Sequence, residues 1–77
     1  MTAGEIVQAA IPRGPHDIDL TLEDAGLTSD AQRAVFQEDV VLGVEERGCS
    51  IDAADVPNDA DTTLRQVRKA VRDNATS

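Results

Sequence analysis

Aromatic residues are nearly absent from this chain of 77 residues: it has no Trp, no Tyr and one Phe, Phe36. Large aromatic side chains carry much of the burial in ordinary cores. The core here must be assembled from Leu, Ile, Val and Ala, and in so short a chain it is modest. Cysteine is limited to Cys49, so no internal disulfide staples the fold. That fits a reducing compartment, and Cys49 reads as a small buried residue rather than a nucleophile. The one His, His16, lies in a stretch rich in Pro and Gly and reads as a solvated surface residue. One His and one Cys far apart match no zinc spacing. The acids lack the D-x-[DN]-x-[DN]-G order of a calcium loop, so no metal is expected. No glycine-rich phosphate cradle occurs. No apolar run approaches a membrane span, and the N-terminus lacks the basic-then-apolar form of a signal peptide. The expectation is a cytoplasmic, monomeric protein.

Basic charge is also scarce. Lys and Arg number 7 against 15 Asp and Glu, for a net charge of −8. Such a chain repels nucleic acid phosphates and anionic membranes and is drawn to basic protein surfaces. The imbalance is local: 14 acids and 3 bases precede Thr62, and 1 acid and 4 bases follow Asp61. Arg65, Arg68, Lys69 and Arg72 sit on the last predicted helix, toward its C-terminal half. There they complement the helix dipole and pair with the acidic remainder.

What is present is helix punctuation. Thr2-Ala3-Gly4-Glu5 has the form of a capping box, and Ile6, Val7, Ala10 and Ile11 follow at helical spacing. Pro12 ends this first helix. Residues 12–20 read as a loop; Ile18, Leu20 and Leu22 are expected to be pinned into the core, with a helical turn from Thr21 to Ala25 stopped by Gly26. Leu27 anchors the chain before Ser29. Ser29-Asp30-Ala31-Gln32 is a second capping box, opening a helix from Asp30 to about Arg47, with Gly48 as its stop. This helix is apolar on two sides. Ala31, Ala34, Val35, Val41 and Leu42 fall on one side, and Phe36, Val40, Gly43 and Val44 on the other. Ile51 and Val56 are expected core anchors around a short helix capped by Ser50 or Asp52. Asp59 or Asp61 is expected to cap the last helix, where Leu64, Val67, Ala70 and Val71 form a clean stripe. Residues 74–77 are expected to fray. The pattern predicts one all-α domain over residues 1–77, a small bundle of three to four helices.

Ser29 is either a helix cap or a hydroxyl held up for chemistry. With His16 and an aspartate it makes a nominal hydrolytic triad. A chain this small has little room for a substrate pocket and an oxyanion hole, so self-contained catalysis is not expected.

Three segments resemble the acyl and peptidyl carrier protein family. Leu22-Glu23-Asp24-Ala25-Gly26-Leu27-Thr28-Ser29 is similar to its "(hydrophobic)-x-D-L-G-L-D-S". Val44-Glu45-Glu46-Arg47-Gly48-Cys49-Ser50-Ile51 is similar to "L-E-E-x-F-G-I-x-I", and Asp61-Thr62-Thr63-Leu64-Arg65-Gln66-Val67 to "x-A-T-V-x-D-V". The likeness spans Ile18 to Val71. Thr28 and Asp30 stand where the family has Asp and Leu, and an ungapped alignment back from Ile51 brings Arg33 to the serine position. The resemblance implies a carrier-type helical bundle bearing a covalent 4′-phosphopantetheine arm, derived from coenzyme A, on Ser29. It implies partners with basic docking patches: a phosphopantetheinyl transferase and acyl-processing enzymes of polyketide, nonribosomal peptide or fatty acid assembly. Asp30, Glu38, Asp39, Glu45 and Glu46 would be the steering charges, and Phe36, Val40 and Val44 the apolar contact. The competing expectation is a non-catalytic adaptor of like fold that binds a basic partner, with Ser29 only a cap.

Overall fold

Cap and stop signals divide the chain into helices much as local chemistry dictates. The computed structural model describes residues 3–10 and 20–77. They form α1 (Ala3–Ala10), α2 (Asp30–Glu46), a single 3-10 turn (Ala53–Asp55) and α3 (Leu64–Asn74). The fold is all-α and contains no strand among the described residues. Thr2, Ile11, the stretch from Pro12 to Asp19, His16 and Ile18 lie outside them.

Helix α2 starts at the expected capping box. The Ser29 hydroxyl accepts from the Gln32 N–H at 3.1 Å, and the Gln32 side chain accepts from the Ser29 N–H at 3.0 Å. It ends at Gly48, whose φ of +82° suits a residue without Cβ. Gly48 N–H donates to the Glu45 carbonyl and Cys49 N–H to the Val44 carbonyl, the paired closure of a Schellman stop. The same device closes the turn before α2. Gly26, at φ +112°, donates to the Glu23 carbonyl, and Leu27 N–H donates to the Leu22 carbonyl. The helical turn from Thr21 is therefore present. Asp52, of the two expected caps, closes the 3-10 turn by accepting from Ala54 N–H at 3.0 Å.

The start of α3 differs from expectation. Neither Asp59 nor Asp61 caps it: Thr63 does, accepting from Gln66 N–H at 3.1 Å, while Gln66 accepts from Thr63 N–H at 2.9 Å. Asp59 instead belongs to a preceding turn, its N–H donating to the buried Thr62 hydroxyl at 3.1 Å. The chain after α3, expected to fray from Asn74, is tied back. Helix continues through Asn74, and Thr76 pairs with Ser50 through hydrogen bonds of 2.7 and 2.8 Å. A second isolated bridge joins Thr21 to Thr63.

The core is a single cluster contributed by every element. Ile6 and Ala10 come from α1; Leu22, Ala25 and Leu27 from the turn; Phe36, Val40 and Val44 from α2. Ile51 and Val56 anchor the linker as expected, and Leu64, Val67 and Val71 complete the cluster from α3. Helix α1 and the 3-10 turn each pack on both α2 and α3, which make no close backbone approach of their own among the described residues. Leu20 departs from the expected core set: it is exposed, and its carbonyl accepts from Leu64 N–H at 2.8 Å. Cys49 is half-buried against the core.

Candidate functional site

The two apolar sides of α2 have unequal fates. Positions 33, 36, 40 and 44 recur at helical spacing and face inward. Phe36, Val40 and Val44 are at most 3% exposed, so they hold the core together and are not available as an apolar contact for a partner. The accessible apolar residues are Val35 and Leu42, each 56% exposed. At about 100° per residue, Ala31, Val35, Glu38, Asp39, Leu42, Glu45 and Glu46 share one outer face. Glu38, Glu45 and Glu46 are exposed and Asp39 is half-buried. An apolar strip with acids on both flanks thus runs along the helix.

At the head of that helix stands Ser29, exposed and flanked by exposed Thr28 and Asp30. Its position is fixed through three of its own groups. The N–H donates to Gln32 Oε1, the hydroxyl lies 3.1 Å from Gln32 N and 3.2 Å from Gln32 Oε1, and the carbonyl accepts from Arg33 N–H at 3.1 Å. Gln32 Oε1 also accepts from Thr28 N–H at 3.0 Å. The hydroxyl is therefore both a working cap and open to solvent.

Two depressions border this corner. An apolar groove of about 310 Å³ is lined by Val7 of α1 and by Leu27, Ala31, Gln32, Val35, Phe36 and Asp39. A polar hollow of about 370 Å³ is lined by Asp30, Arg33, Asn58, Asp59 and Ala60. Gln37 braces the far wall of α2, its amide donating to the Ala53 carbonyl at 2.6 Å and the Val56 carbonyl at 3.0 Å. Asn58 Nδ2 in turn lies 3.4 Å from Gln37 Oε1.

Arg33 is the residue that sequence reasoning missed. It is the buried charged side chain of the described residues, at 8% exposure. Its Nη1 donates to the Leu27 carbonyl at 2.9 Å, and its Nη2 pairs with the exposed Asp30 carboxylate. The signal in the sequence is an arginine at helical spacing from Phe36 and Val40 with an acid three residues before it.

Among the described residues, no group of three or more His, Cys, Asp and Glu side chains is placed to hold a metal ion. No helix among them is long and apolar enough to cross a membrane. The basic residues of α3 lie outward: Arg65, Lys69 and Arg72 are exposed and Arg68 is half-buried. No protein-family model matches this chain, and no match is found among curated proteins or solved structures.

Proposed function

We propose that the chain is a carrier-type helical bundle, modified on Ser29 by a 4′-phosphopantetheine arm and serving acyl or aminoacyl transfer in polyketide or nonribosomal peptide assembly. The observation that carries this reading is the exposed Ser29 hydroxyl, fixed at the head of the long acidic helix α2.

The residues present suit such an arm. Ser29, Thr28 and Asp30 are all exposed, so a bulky group on the hydroxyl meets no wall. The Ser29 oxygen would form a phosphoester bond to the pantetheine-side phosphorus of coenzyme A. The pyrophosphate bond to the adenosine portion breaks, and the hydroxyl proton passes to a base of the transferase. When bound, the arm supplies a flexible thiol that holds cargo as a thioester. The chain's own residues position and steer. Glu38, Asp39, Glu45 and Glu46 attract basic patches, giving fast, weak and salt-sensitive association. Val35 and Leu42 supply the apolar contact between them, in place of the buried Phe36, Val40 and Val44.

Intact mass after incubation with coenzyme A and a broad-specificity phosphopantetheinyl transferase tests the reading. The expected result is a gain that vanishes in Ser29→Ala. An unchanged wild-type mass with several transferases would overturn it.

One observation favours a second reading. The Ser29 hydroxyl completes a reciprocal capping box, which suffices to explain a serine there. An adaptor that binds a basic partner through the outer face of α2 would keep its binding in Ser29→Ala.

A further inference from the structure

A buried guanidinium is costly unless its donors are satisfied. Arg33 is buried, and both acceptors of its side chain belong to the segment that carries Ser29. Nη1 holds the Leu27 carbonyl, two residues before the serine, and Nη2 holds the Asp30 carboxylate, one residue after it. The Arg33 backbone N–H holds the Ser29 carbonyl itself. Leu27 is in turn fixed to the preceding turn, the residue buried and its N–H bonded to the Leu22 carbonyl at 2.9 Å. We infer that Arg33 is a positioning residue for modification of Ser29: its fork clamps the chain on both sides of the hydroxyl and presents it to the transferase in one preset geometry. The inference rests on the carrier reading.

The chemistry of the fork explains why arginine stands there. A planar guanidinium reaches two acceptors in fixed directions, whereas a lysine ammonium is a point charge on a flexible stem. Charge-assisted hydrogen bonds are also the stronger kind. Small displacements of a reacting oxygen slow a positioned reaction steeply, on the order of 100-fold for about 1 Å.

The test compares transferase-catalysed labelling of the full chain by intact mass in wild type, Arg33→Met, Arg33→Lys and Val67→Ala. Val67→Ala truncates the core on α3 and leaves every hydrogen bond around Ser29 in place. All four are assayed at a temperature where circular dichroism shows them folded. The expected result for Arg33→Met is a fall in kcat/KM for the protein of about tenfold or more, with KM for coenzyme A unchanged. Arg33→Lys should recover part of it, and Val67→Ala should label at the wild-type rate despite its lower Tm. Arg33→Lys carries the same test alone if Arg33→Met does not fold. Equal labelling of wild type and the Arg33 variants overturns the inference and leaves the carrier reading standing. So does an equal loss in Val67→Ala, which would reduce Arg33 to a stabilising role. Absence of label on wild type overturns both.

Discussion

The same cap opens two helices in two settings. Ser29 with Gln32 and Thr63 with Gln66 form matching reciprocal boxes. At α3 the cap is embedded. Thr63 is half-buried and bridged to Thr21, the residue after it is the fully buried Leu64, and Leu64 N–H is itself bonded to the Leu20 carbonyl. At α2 the cap is presented. Ser29 is exposed, the residue after it is the exposed Asp30, and the support comes from below through Arg33. One motif therefore seals one helix start into the core and displays a hydroxyl at another. The difference is made by neighbours, not by the cap.

The largest expected effect comes from the residues that follow the two caps. Leu64→Ala should lose about 2–5 kcal/mol of stability by urea unfolding, because it empties a fully buried site. Asp30→Ala should lose less, about 1–3 kcal/mol, because it removes both an acid at the helix start and one acceptor of the buried Arg33 guanidinium. Comparable losses would break the distinction between an embedded and a presented start. Next in size is Gly26→Ala, which forces a side chain to φ +112° in the turn below Ser29. A cost of about 1–2 kcal/mol is expected in thermal unfolding, with nothing crowding the new methyl to add to it.

The caps themselves come third. Thr63→Ala and Ser29→Ala should each cost about 1 kcal/mol. Only Ser29→Ala should abolish the mass gain with coenzyme A, so the pair separates capping from cargo attachment in one assay. Smallest in stability is Leu42→Ser on the outer face of α2, expected within about 0.5 kcal/mol of wild type. Its effect should fall on partner binding, measured by calorimetry across a salt series. An unchanged affinity would remove the outer face of α2 from the docking surface.

Local signals were legible in the sequence, and non-local ones were not. The Ser29 box and the Gly26 and Gly48 stops depend on contacts within five residues and could be read from spacing, while the cap of the 3-10 turn was narrowed to Ser50 or Asp52. Thr63-Leu64-Arg65-Gln66 repeats the pattern at Ser29, but Asp59 and Asp61 just before it offer competing cap signals. Which apolar side of α2 turns inward could not be read, because both sides offer comparable stripes and only the position of α1 and the turn before α2 decides between them. That is why Phe36, Val40 and Val44 were expected at a partner surface and are found in the core. The pairing of Thr76 with Ser50 joins residues far apart in sequence, and no local rule announces it.

The two isolated bridges have a consequence for how the molecule opens. Thr21 is fastened at the start of α3 and Ser50 just past its end. The chain between them, with α2 inside it, is a bow strung across α3. Closing such a loop costs entropy once, and after both ends are tied, neither helix can peel away without tearing a tie. The serine's platform and the final helix should thus exchange their amide hydrogens as one cooperative unit, together with α1, which packs on both.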